Sequence, residues 1–302
     1  MGDATFTLGQ RGSHYFQCPS RRDYTRLPFK LQQLLTTNHI YRVYHVTLGF
    51  EDSFLITYQD RDGRDNMESH GLPDELTSFL YATNSQDVPI RVIPKIRLTL
   101  GPNNDSFFVG DGSAYLWLNL PPRLLTALQS RIRDGQWTDR PRLVALGADQ
   151  NFILITHNSK AVWDLSHYRT LTQMLEFSRT QERGLEEIRQ VVLHAYRYQG
   201  FIAQNSSANL MWENLPDWSI VALDGMRAPL IRDAREDDVR ARQRKLQSRP
   251  SFRERPSGGL REQATFRREW TERNNEFKTK AKGMKLSLSL SIGIGGFSKK
   301  LG

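Results

Sequence analysis

The sequence predicts a mainly β protein with short helices: a five-repeat, propeller-like domain over residues 1–226, followed by a basic, partly disordered tail. Three observations predict it. A Leu-Gly turn recurs at near-regular spacing, an apolar stripe of helical period follows each turn, and the excess positive charge lies after residue 226.

The turn stands as TLG at Thr7–Gly9, Thr47–Gly49 and Thr99–Gly101, as ALG at Ala145–Gly147, and in degenerate form as VLH at Val192–His194. Successive copies are 40, 52, 46 and 47 residues apart, a period that marks repeat architectures. Before the turn, residues alternate, as in Ile96, Leu98 and Leu100, or run apolar, as in LVAL at 143–146, so a first strand is expected. After it come HYF at 14–16, SFLITY at 53–58, SFFVG at 106–110, NFILIT at 151–156 and GFIA at 200–203, the second strands. GDGS at 110–113 and DRDGRD at 60–65 supply hairpin turns, because glycine tolerates positive φ. A third strand often ends in an aromatic, Tyr24, Trp117, Trp163 or Trp212, and these read as core between repeats.

A short helix closes each unit. Leu27, Leu31, Leu34 and Leu35 sit at offsets 0, 4, 7 and 8; Leu72, Leu76, Phe79 and Leu80 keep them, as do Leu120, Leu124, Ala127 and Leu128. Those offsets draw one stripe on a helix. Pro28, Pro73 and Pro121 follow the first leucine, where proline suits a helix's first turn. The fourth unit has Leu165-Ser166 and two extra residues before Leu171, Met174 and Leu175. In the fifth, Leu215-Pro216 remains and the stripe weakens to Ser219, Ala222 and Leu223.

One such unit cannot bury both faces of its sheet, so neighbours must stack. A closed five-bladed propeller is favoured over an open ββα array because closure removes sheet edges. The short first strand fits closure by the N-terminus. The pattern LG…SFF…W..LP..L...L, over about residues 5–225, resembles tandem repeats of uncharacterised proteins of filamentous fungi; that resemblance implies a repeat fold and no activity. In repeat length and number the chain is also similar to the tachylectin type of five-bladed lectin propeller, which implies glycan binding as an alternative. No sugar-binding residue carries over, and the turns SHYFQC, ITYQDRDG, VGDGS and ITHNSK share little chemistry.

Residues 227–302 hold 20 Lys/Arg against 9 Asp/Glu, a net of +11, whereas 1–226 carry a net of −2. Residues 227–260 read as a polar linker: 231–248 have helix-forming composition but almost no large apolar residues, so a packed helix is not expected, and RPSFRERPSGG at 249–259 reads as flexible. Ser248, Ser251 and Ser257 lie among arginines, where phosphate would cancel charge. In 261–302, Phe266, Trp270 and Phe277 share one helical stripe, surrounded by Arg267, Arg268, Arg273, Lys278, Lys280 and Lys282. This candidate partner-binding segment fits docking onto the propeller, an acidic protein groove or membrane surface, or nucleic acid with Trp270 stacking. Met284, Leu286, Leu288, Leu290, Ile292 and Ile294 alternate as a strand for docking or self-assembly. RARQRK at 240–245 resembles a nuclear import run in an otherwise cytoplasmic protein.

Catalytic chemistry is thinly represented. Cys18 is the single cysteine, so an internal disulfide and a Cys-rich metal site are excluded. His14 and Cys18, four apart, read as a chance pair; His39, His45, His70, His157, His167 and His194 lack ligand spacing. IGIGG is no dinucleotide fingerprint, since no helix can follow it. No apolar run reaches the roughly 20 residues of a membrane span. The expectation is a non-catalytic interaction module without cofactor or metal, binding a protein partner, with a glycan or an anionic surface as alternatives.

Overall fold

The computed structural model describes residues 4–247. Its recurring piece is a three-stranded antiparallel sheet followed by a helix. The first unit has β1 (Thr5–Leu8), β2 (His14–Cys18), β3 (Arg21–Thr25) and α1 (Phe29–Thr36). The second has β4 (Ile40–Leu48), β5 (Phe54–Asp60), β6 (Asp65–His70) and α2 (Asp74–Leu80); the third β7 (Arg97–Leu100), β8 (Phe107–Gly110), β9 (Tyr115–Leu118) and α3 (Pro122–Gln129). A two-stranded hairpin, β10 (Ile132–Arg133) and β11 (Gln136–Trp137), precedes the fourth unit. That unit has β12 (Pro141–Leu146), β13 (Phe152–Thr156), β14 (Ala161–Asp164) and α4 (Arg169–Thr180). The fifth has β15 (Ile188–Leu193), β16 (Phe201–Asn205), β17 (Leu210–Glu213) and α5 (Asp217–Gln247). The described residues are thus mainly β, with four short α-helices and one long one and six small sheets of which none closes on itself.

Why these residues make these elements follows from burial. The second strand of each unit is paired on both edges and covered on both faces, so it runs apolar rather than alternating. Phe152, Ile153, Leu154 and Ile155 are all fully buried. The aromatics Tyr24, Trp117, Trp163 and Trp212 sit half-buried on third strands, opposite Tyr15, Phe108, Ile153 and Ile202.

The Leu-Gly turn has a steric cause. The N–H of Gly49 donates to the Ser53 carbonyl at 2.9 Å, and Gly9, Gly101 and Gly147 make the same closure to Ser13, Ser106 and Asn151. A Cβ on Gly49 would meet Ser53 Oγ at 2.3 Å, Asn104 Oδ1 at 2.4 Å and Leu100 at 2.7 Å. In the fifth unit the two roles exchange: His194 takes the first position and donates to the carbonyl of Gly200, whose own Cβ would fall 2.9 Å from His194 Cβ.

The helices pack across seams. Leu31 and Leu35 of α1 bury against Val43, Val46 and Ile56 of the second unit, and Leu76 and Leu80 of α2 against Leu98 and Phe107 of the third. Leu124 and Leu128 of α3 meet Leu146, Phe152 and Leu154; Leu171 and Leu175 of α4 meet Val191, Leu193 and Phe201. Helix α5 then returns to the first unit, where Leu223, Met226 and Leu230 pack with Phe6, Phe16 and Cys18.

Helix α5 corrects the reading of a polar linker from residue 227. It is 31 residues long, and its stripe continues past Leu223 through Met226 and Leu230. Buried Asp233 accepts hydrogen bonds from the Ser20 N–H (3.1 Å) and hydroxyl (2.9 Å). The Trp218 indole donates to the Gly12 carbonyl at 2.9 Å, and the Arg26 guanidinium lies 4.0 Å above the Trp218 ring.

Two outcomes are expected in chemical denaturation. Gly49→Ala should cost about 1–3 kcal/mol, the usual range for overpacking. Leu223→Ala should cost about 2–5 kcal/mol through the cavity it leaves under α5.

Candidate functional site

The first strands of the five units converge on a cavity of about 390 Å³. Polar bridges join each to the next. The Leu48 N–H donates to Thr7 Oγ1 at 3.3 Å, the Thr47 hydroxyl donates to the Leu98 carbonyl at 3.0 Å, and the Leu146 N–H donates to Thr99 Oγ1 at 3.4 Å. This is what the threonine of the TLG motif does. Where Ala145 and Val192 replace it, longer side chains take over. Arg142 donates to the carbonyls of Ile188 (2.6 Å) and Leu185 (2.9 Å), and Gln190 Nε2 donates to the Phe6 carbonyl at 3.5 Å. The bridges therefore run from the first unit to the fifth and back to the first.

One end of this cavity is basic. Lys95, Arg97, Arg142 and Arg189 line it with His45, His157, Tyr44 and Tyr115. Three of these, Tyr44, Arg142 and Arg189, occupy bulges where the pairing with the second strand skips a residue. A bulge re-aims a side chain that regular pairing would direct elsewhere. Burial, and then the charge of Arg189, lowers the pKa of Arg142. Among the described residues lining the cavity there is no carboxylate.

His45 is held neutral. The Leu98 N–H donates to its Nε2 at 3.3 Å, and the Thr47 hydroxyl lies 2.8 Å from the same atom. Burial, reinforced by Arg97, depresses its pKa to about 3. His194 is depressed to about 4 by burial and Arg197, and its Nδ1 accepts from the Tyr196 N–H at 3.1 Å.

A serine, a histidine and an aspartate also come together under α5. His14 Nδ1 lies 2.9 Å from Ser219 Oγ, and its Nε2 lies 3.2 Å from Asp23 Oδ1. Both His14 and Ser219 are only 1 % exposed, and His14 stacks on Phe16 at 4.2 Å. Burial lowers the His14 pKa against the opposing pull of Asp23. The group locks α5 to β2. Cys18 shares the strand face of His14 but has Ser20 as its neighbour at 3.7 Å, and burial pushes its thiol up, which disfavours the nucleophilic thiolate.

A second feature lies between α2 and β7. Asn84 Oδ1 accepts from the N–H groups of Gln86 (2.9 Å) and Val88 (3.1 Å), and the Ile90 N–H donates to the Ala82 carbonyl at 3.1 Å. Arg91 donates to the Phe79 carbonyl while its guanidinium stacks 3.8 Å above the Phe79 ring. This fixed segment leaves Val88, Ile90 and Val92, at alternate positions, 51 %, 47 % and 40 % exposed.

The sequence-predicted partner residues Phe266, Arg267, Arg268, Trp270, Arg273, Phe277, Lys278, Lys280 and Lys282, and the alternating strand from Met284, lie outside the described residues. Among the described residues no group of three His, Cys, Asp or Glu is placed to hold a metal, and no helix is long and apolar enough to cross a membrane. No protein-family model matches the chain, and no curated protein matches it.

The neutral histidines set an acid dependence. Unfolded, His45 and His194 take up protons near their ordinary 6.5; folded, they resist until about 3 and about 4. The unfolded state therefore binds more protons within that window, and stability present above pH 6.5 is lost as pH falls through it. The melting temperature should drop between pH 6.5 and 4, and drop less in His45→Gln.

Proposed function

We propose that the five sheets are the blades of a five-bladed propeller and that the chain is a non-catalytic interaction module for a protein partner. Two features support the propeller reading: the polar bridges between first strands return to the first unit, and the fifth helix packs on the first sheet. The partner reading rests on the 82–92 segment. Side chains of this kind are buried by default, and an ordered loop that spends backbone and guanidinium hydrogen bonds to present three aliphatics outward is a docking surface. Tyr81, 44 % exposed at the end of α2, extends it. The basic segment of 261–302, with its charge separated from a near-neutral remainder, adds an electrostatic contact that speeds encounter.

The test is affinity capture with the full chain and with Val88→Asp/Ile90→Asp, each at low and high salt. Proteins retained by the wild type at both salts and lost from the variant are the expected result. An identical retained set for wild type and variant would remove the loop as the recognition surface. A set that vanishes for both at high salt would place recognition in the charged C-terminal residues.

A further inference from the structure

We propose that the basic end of the central cavity binds a small organic polyphosphate. The reasoning begins with charge. Lys95, Arg97, Arg142 and Arg189 come from three units spread over almost a hundred residues of sequence, and the cavity gathers them with no carboxylate among its described lining residues. Residues 1–226 are net acidic, so this is a local concentration of positive charge rather than a sample of the surface.

Among the described residues, three carboxylates flank the site, and each is engaged by a group of its own. Asp65 Oδ1 accepts from the Tyr44 hydroxyl at 2.7 Å. Glu186 pairs with Arg183 at 2.5 Å. Asp111 accepts from the N–H groups of Val92, Ser113 and Ala114. None of them lines the cavity. Like charges gathered this way repel, and an anion placed between them would relieve that repulsion.

Geometry favours clustered phosphates over a single carboxylate. Lys95, Arg97 and Arg189 are exposed and Arg142 is half-buried, so the cations are reachable from solvent. Arg142 donates to the carbonyls of Ile188 and Leu185, and Arg97 to those of Pro94 and Ile96, so both guanidinium groups form fixed wall. Guanidinium forks and an ammonium suit phosphate oxygens, and four cations match the charge of a di- or triphosphate. The cavity as a whole, about 390 Å³, lies within the range of small-molecule sites, and the basic end is one part of it. Tyr44 and Tyr115 line the cavity beside these cations.

The experiment is isothermal titration of the full chain with inorganic tripolyphosphate, ATP and inositol hexakisphosphate, at matched ionic strength with sulfate as control. The comparison variants are Lys95→Ala and Arg189→Glu, both at exposed side chains. Saturable one-to-one binding by the wild type is expected, weakened about ten- to a hundredfold in each variant, the loss of one charge-assisted contact. Tripolyphosphate alone sufficing would mean that the phosphates carry recognition; a preference for ATP or the inositol would mean that the organic part adds to it. Equal binding by wild type and both variants would assign it to the basic C-terminal residues and overturn the proposal, as would no saturable binding. Hydrogen exchange supplies an independent readout: ligand should protect Arg97–Leu100 and Ile188–Leu193 in the wild type, and no protection there would also overturn it. The outcome is separable from the protein-partner reading, because Val88 and Ile90 do not line the cavity.

Discussion

Every unit has a middle strand that needs cover on both faces, and no unit can supply it. A three-stranded sheet with one short helix has too little apolar surface to enclose Ile56, Val109 or Ile155 by itself. Cover comes from the helix of the preceding unit and the sheet of the next, which is why each apolar cluster is shared by consecutive units. Helix lengths, the leucine stripe and the return of α5 to the first sheet all follow from that need. Cooperativity between nearest neighbours is then the source of stability, as in other repeat proteins.

Periodicity made much of this legible. The strand and helix patterns switch about every 47 residues, and the strands, the turns and helices α1 to α3 fall where those patterns place them. The threonine of TLG was visible as a repeat, but its purpose was not, because the bond it makes crosses to another unit. The length of α5 was not legible for a definite reason: residues 231–248 have few large apolar side chains, whereas the stripe that fastens the helix keeps helical spacing just before them, through Met226 and Leu230. The small β10–β11 hairpin was missed, although Asp134-Gly135, both in the left-handed region, is the signal that a two-residue turn of this type gives.

The cavity was not legible. Its cations are scattered along the chain, and three of its side chains are placed by bulges that a pattern of alternation does not reveal. A net charge summed over 1–226 hid them further. The same summation drew attention to the C-terminal residues alone. A left-handed residue before the Leu-Pro pair, at Arg26, Gly71, Asn119 and Asn214, was another recurring feature. Only the glycine and asparagines announce such a conformation by type.

The seam between the fifth and first units is the one that no peptide link spans, and its polar bridge, at 3.5 Å from Gln190 to Phe6, is the longest of the set. Helix α5 compensates by fastening to β2 and to the turn that follows it, through His14, Ser20 and the apolar stripe. The contact between the first and fifth units is therefore fastened by a separate element, helix α5. Tension between the first and fifth units would be borne first at this fastening, and release there would bare the apolar faces of both at once.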